Sequence, residues 1–468
     1  MLPFTDLSPE GDQAYFGDGI AEELLDELAG MDGLRVAGRS SSFAFRDAAA
    51  DARTIGNALD VATMLEGSVR KSGDRLRISA QLISVADGYT LWSKTYEQDL
   101  TDIFVIQDEI AGAVAGALGV SLGVGDVNAF RGAGTDSVEA YENYLRAMQT
   151  GGAERQRLLE RAIALETDYA AALSALGLTW AGRIWREPPQ NAAELRATAL
   201  TYLQRAVEVE PESAYAYSLR AVASYSGFEW LASDRDFTRS LDIDSTGETL
   251  AHFANMLMRT GRSSAAIASY EEAWRTEQGS LTRVGRLWGY ALLALRQFDE
   301  LERAQATPLQ NGRPNEGLLH PAFRLYVALN EGDVHTAQAQ FGQLAGLTGP
   351  YQRYLSDLPP AFDDPAAALR ILRAVYADET AIWPSKYHDI ALLAAFFGDA
   401  DLALESMAIE ARLTTVRFGA LWFPLMAEAR ALPGFKDLVR NVKLVEYWQA
   451  RGWSDHCRPL GDDDFECF

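Results

Sequence analysis

The chain has 468 residues, too many for one ordinary core, so two or three domains are expected. Apolar residues make up 48%, which marks a folded chain. A net charge of −24 repels phosphate backbones and argues against direct nucleic-acid binding, and no 18-residue apolar run exists to span a membrane. The first residues, "MLPFTDLSPEGDQ", have neither the basic nor the apolar region of a signal peptide.

Residues 1–125 mix helix and strand signals in the order helix, strand, helix, strand, strand, strand, helix. "GIAEELLDELAG" has helical spacing, and Asp18 is expected to cap it, with acidic residues favoured in its first turn. The same acidic residues would repel an anion at that helix start. "DARTIGNAL" is a second helix. "LRISAQLISV" alternates apolar and polar residues as a half-buried strand does. With the turn signals Lys71-Ser72-Gly73-Asp74 and Ala86-Asp87-Gly88, it predicts a three-strand antiparallel meander at roughly 61–98. "DIFVIQDEIAGAVAGAL" closes this small α+β domain as a helix. The glycine-rich "LGVSLGVGDV" ends that helix and does not link a strand to a helix, so it is taken as a linker and not a phosphate loop.

From about residue 136 only helical spacing remains, which calls for a repeat search. "LSALGLTW" supplies Leu173, Leu176, Gly177 and Trp180, the first-helix signature of a tetratricopeptide repeat (TPR). "ATALTYLQRAVEVEP" supplies Ala199, Leu203, Ala206 and Pro211, the second-helix pattern, with "RIWREPPQN" as a loop insertion between them. Later units turn at Gly261, Arg296, Gly332 and Gly398, in steps of 35, 36 and 66. Small residues follow at Ala266, Ala337 and Ala403, and large ones at Tyr270, Phe341 and Met407. A unit near 350–380 is degenerate. The expected architecture is an α+β domain at 1–125, an all-α TPR superhelical solenoid of about seven to eight helix pairs at 126–445, and a tail at 446–468.

No catalytic or cofactor motif was found, and no cofactor or metal is expected. "DIDSTGE" begins like a calcium loop, but Phe253 stands where the bidentate Glu belongs, so a polar turn is the better reading. "RKSGDRLR" is read as a solvated turn. "HCRPLGDDDFECF" holds the only two cysteines, Cys457 and Cys467, with His456 and three aspartates. A disulfide is favoured, because the intervening turn residues let the loop fold back. Two free thiols and a metal site are the alternatives. A disulfide would imply an oxidising compartment.

"LPFTDLSPEGDQAYFGDGIAEELLDELA", "LRVAGRSSSFAFR" and "LEGSVRKSGDRLRISAQLISVADGYTLWSKTYEQDLTDIFVIQDEI" resemble the TolB amino-terminal-like (FlgO-like) domain of bacterial signalling proteins. In that family TPR repeats commonly follow. The pair usually lies outside the cytoplasmic membrane, beyond a membrane helix that is preceded by a CadC-like winged-helix domain or an adenylate cyclase domain. The resemblance therefore implies a periplasmic, non-enzymatic sensor or protein-interaction region with an upstream effector, and no catalytic residues. The family's first strand normally begins before "LPF", so the chain is expected to be truncated. A stand-alone, cytoplasmic TPR scaffold is the second reading. Either would bind a protein or peptide in the concave groove lined by first helices. Asn255 and Arg259 are expected there, facing a basic or polar segment steered in by the acidic surroundings.

Overall fold

The computed structural model describes residues 1–29, 34–46, 50–73, 75–99, 103–118, 134–184, 191–276, 282–306, 321–345, 357–381, 385–413, 417–461 and 464–468. Residues 185–190 of the proposed insertion (183–191), most of the glycine-rich linker, His320, Asp462 and Asp463 lie outside them. The chain divides into two compact units, Met1–Thr179 with Tyr202–Glu212, and Trp180–Thr201 with Ser213–Phe468.

The first unit is built on a sheet in the order β1-β2-β3-β4: β1 (Thr5–Asp6), β2 (Thr63–Ser72), β3 (Arg75–Ser84) and β4 (Thr90–Asp99). The expected meander is present as β2–β3–β4, antiparallel throughout. A fourth strand, β1, joins it in parallel beside β2. Two residues are too short for period-2 alternation to show in the sequence.

One sheet face is apolar. Leu65, Val69, Leu76, Ile78, Leu82 and Tyr96 pack with helices α1 (Ala14–Ala29) and α4 (Ile103–Ala117). Among the described residues between α1 and α3 (Ala52–Leu59) there is no strand where one was expected; they form a short helix, α2 (Arg39–Phe43), begun by the Ser42 N–H donating to Gly38 O. Leu34 and Val36 are packed against the core without a ladder partner, so the apolar signal there was burial, not pairing.

Asp18 is not a cap. Helix α1 starts four residues earlier, and Asp18 sits inside it, buried, paired with Arg46 and accepting from Gln149 Nε2. The glycines that flank it allow close approach: a Cβ on Gly19 would stand 2.4 Å from a Leu145 methyl. Leu145 belongs to α5 (Val138–Gln149), which packs on α1 and on α6 (Gly152–Leu165). The first hairpin of the helical region thus shares a core with the sheet. The basic hairpin is individually paired: Lys71 with Glu142, Arg77 with Glu97, and Arg70 Nε donating to Leu7 O.

Helices α7 (Ala170–Arg183) and α8 (Ala192–Val209) run across the boundary between units. The second unit then repeats one device. Helices α9 (Ala214–Tyr225) and α10 (Trp230–Ile243), α11 (Gly247–Arg259) and α12 (Ser263–Thr276), α13 (Thr282–Ala294) and α14 (Phe298–Ala306), and α15 (Pro321–Glu331) and α16 (Val334–Ala345) pair as hairpins. After α17 (Pro365–Ala377), α18 (Lys386–Phe396) and α19 (Ala400–Leu413) pair likewise. "DIDSTGE" is the turn before α11, where Thr246 caps the helix through the Thr249 N–H.

Each hairpin turns through one left-handed residue: Phe228 (φ 64°), Gly261 (76°), Arg296 (57°), Gly332 (72°) and Gly398 (86°). At each turn the next residue's N–H reaches back to a carbonyl five positions earlier, as Arg262 does to Leu257 and Asp399 to Ala394. Five residues on, Ala266, Ala337 and Ala403 are fully buried, and nine on, so are Tyr270, Phe341 and Met407. Gly261 carries a second constraint, since an added Cβ would lie 2.9 Å from Trp422, whereas at Gly332 it meets nothing within 4 Å. Gly332→Ala should therefore cost only the left-handed backbone, about 1 kcal/mol, and Gly261→Ala roughly double, measurable as urea midpoints.

Candidate interaction groove

The repeat turns give every first helix the same coordinates. Six residues before the turn stand Asn255, Tyr290 and Tyr326; two before it stand Arg259 and Asn330. First helices pack in succession, α9 on α11, α11 on α13, α13 on α15, and α15 on α18, so these rows line one face.

Asn255 and Arg259, expected to face an open groove, meet each other, Arg259 Nε donating to Asn255 Oδ1 at 3.1 Å. Arg259 is 4% exposed, its guanidinium lies 5.3 Å from the centre of the Tyr225 ring, and burial lowers its pKa. The Arg259 guanidinium is thus enclosed within its own unit. Its backbone is engaged: Trp422 Nε1 donates to Arg259 O at 2.9 Å.

Trp422 belongs to a segment that the repeat pattern does not contain. Residues Phe418–Trp422 and Pro424–Met426 form two 3-10 helices joined at Phe423, and they pack on α11, α13, α15 and α18. Phe418 meets Phe228, the left-handed turn residue, with ring centres 6.0 Å apart. Phe423 lies 5.8 Å from Tyr290 and 6.3 Å from Tyr326. The Leu425 N–H donates to Asn330 Oδ1 at 3.0 Å. An asparagine side chain, Asn330, thus holds the main chain of this segment.

The rest of the C-terminal region holds this segment down. Helix α20 (Ala427–Ala431) carries Arg430, whose Nη1 donates to the carbonyls of Leu421 and Phe423 at 2.8 Å each, while Nε and Nη2 donate to Phe468 O. Burial lowers Arg430 to about 10. Helices α21 (Pro433–Asn441) and α22 (Leu444–Arg451) follow. Trp448 Nε1 donates to Thr260 O, Trp230 Nε1 to Val442 O, and Tyr447 OH to Asp234 Oδ2.

The tail ends in an antiparallel hairpin, Cys457–Pro459 with Phe465–Cys467, closed by the Cys457–Cys467 disulfide. His456 is stacked on Trp422 at 5.6 Å, and burial lowers it to about 4. A buried neutral imidazole against an indole is packing, and both cysteines are already committed. Asp464 pairs with Lys436. Among the described residues no group of three or more His, Cys, Asp or Glu side chains is placed to hold a metal. No described helix is long and apolar enough to cross a membrane. Replacing Cys457 with Ser should lower stability by about 2.5 kcal/mol, read as a denaturation midpoint in oxidised protein and absent when both forms are reduced.

Beneath the start of the segment lies a buried polar group. His388 Nε2 is 3.2 Å from Tyr326 OH, and burial, then Arg417, lowers His388 to about 3. Glu410 is 1% exposed and 3.4 Å from Arg417; burial raises it to about 7 against that pairing.

No family model matches this chain. It is 34% identical over 233 residues to "Putative adenylate cyclase 3" of Rhizobium meliloti (strain 1021), an alignment covering 47% of this chain and 39% of that one. The chain therefore spans about two fifths of that relative's length. Among solved structures, a monomeric mutant of IFIT1 with m7Gppp-AAAA aligns over 74% of this chain and 80% of that one, at 14% identity and a TM-score of 0.39, too low to carry an argument.

Proposed function

We propose that this chain is the interaction region of a bacterial signalling protein, built on tetratricopeptide-type hairpins, with its effector outside the stretch described. The observation that carries the reading is the 34% identity over 233 residues to a protein named as an adenylate cyclase, of which only 39% is matched. Supporting it, the left-handed turns at 228, 261, 296 and 332 recur at steps of 33, 35 and 36, close to the 34-residue tetratricopeptide period. Such arrays present a continuous face made of first helices, which suits peptide binding and not bond-making chemistry. The effector is a nucleotide cyclase, or the winged-helix domain that the TolB-like resemblance also allows. The Cys457–Cys467 disulfide supports an extracytoplasmic location.

Cyclase assays with ATP and GTP on the purified chain test the division of labour. The expected result is no cyclic nucleotide above background; turnover by this chain alone sinks the reading. The location is tested by intact mass with and without reduction. Protein exported to the periplasm should carry the disulfide, and two alkylatable thiols there would overturn the placement.

A further inference from the structure

The groove is already filled, and its filling has the character of a ligand. Phe423 has φ −62° and ψ 146°, the polyproline conformation imposed on a residue before proline, and Pro424 follows. Aromatic walls receiving a Phe-Pro step in this conformation are a recurrent way of reading peptides, because the segment is stiff before it binds. Here the walls are Tyr290 and Tyr326, on successive first helices at the same position before the turn. The contact from Leu425 N–H to Asn330 Oδ1 reads main chain and so does not depend on the side chain presented. The occupant's side chains are apolar and aromatic, Phe418, Leu421, Trp422, Phe423 and Met426 all being buried.

We infer that Phe418–Met426 is a ligand held in cis: the groove across α11, α13, α15 and α18 binds an aromatic–apolar segment containing Phe-Pro, and the chain's own copy closes it to segments in trans. A partner of that chemistry enters only as this segment leaves. The inference rests on the helical-repeat part of the proposed function and not on the effector. Cyclase turnover by the chain would overturn the proposed function and leave the groove assignment standing.

The probe is a fluorescent synthetic peptide, RFGALWFPLMA, with the sequence of residues 417–427. Its binding to the full chain is read by anisotropy. With the cis segment in place in about 99.9% of molecules, wild type should bind it about 1,000-fold more weakly than a Phe423→Ala/Pro424→Ala variant. Adding Asn330→Ala and Tyr326→Ala to that variant should abolish the gain. Equal binding by wild type and the double variant, or none by a double variant with wild-type circular dichroism, overturns the inference. A second measurement needs no variant. In native-state hydrogen exchange, the Leu425 amide should open well before the central amides of α11, α13 and α15. Opening only together with those helices would make the segment ordinary core and sink the proposal.

Discussion

Trp422→Ala should be among the most damaging single substitutions in the second unit, lowering its stability by about 4 kcal/mol. The side chain is fully buried. It stacks on His456, meets Phe435 and Trp448 edge-on, and donates its indole N–H to Arg259 O. Alanine removes the ring from all these partners at once and leaves a carbonyl without its donor. Trp422→Phe separates the two losses. It keeps most of the contact area but not the donor, so about 1–2 kcal/mol is expected. Urea unfolding followed by far-UV circular dichroism measures both. Equal midpoints for alanine and wild type would mean that the segment contributes nothing to the fold of its unit.

The second large effect is a pH dependence centred on Glu410. Its folded pKa is about 7 against 4.5 in a model peptide, with burial as the main cause. Below pH 4.5 both folded and unfolded states hold the proton, and stability is undiminished. Between pH 4.5 and 7 the unfolded chain releases it while the folded chain still holds it, so stability falls as pH rises. The loss is complete above pH 7 and is worth about 3 kcal/mol. Glu410→Gln cannot ionise and should escape it. The stability difference between variant and wild type should therefore move toward glutamine by about 3 kcal/mol from pH 4 to pH 8. His388 works in the opposite direction. Its folded pKa is lowered to about 3, so stability present above pH 6.5 is lost as acid protonates the unfolded chain first. Since both proteins share His388, comparing them isolates Glu410. Parallel pH profiles for the two would show that the carboxyl is not held neutral.

The features legible in the sequence were those that recur or alternate. Gly261, Gly332 and Gly398 announced their turns because a left-handed residue favours glycine. Arg296 was found by spacing alone. Phe228, in the same conformation one unit earlier, was missed because nothing about phenylalanine suggests it. The β2–β3–β4 meander showed itself through alternation, while β1 was too short to do so. The disulfide was the favoured of three readings because the chain has only two cysteines, near each other. The filled groove was not legible. Rows six and two before each turn follow from the repeat, but what covers them depends on pairing residues such as Arg259 with Trp422, 163 positions apart, and no local period records that. One signal was available: residues 417–468 hold Trp422, Trp448 and Trp453 without any repeat pattern. So many large aromatics outside the array must bury themselves on something.

The hydrogen bond from Trp230 to Val442 spans 212 residues, and that span changes how the second unit must be made. A simple array of hairpins assembles locally, each unit settling on the one before as it leaves the ribosome. In this chain α10 and α11 emerge early, with surfaces that fit residues not yet synthesised. At about 5–20 residues per second, those surfaces wait roughly 10–40 s for the tail. The unit therefore has the high contact order of a closed fold on a scaffold of local ones, and it completes last what it began first. During that interval Tyr290 and Tyr326 are uncovered, so the nascent chain passes through a state in which its groove is open.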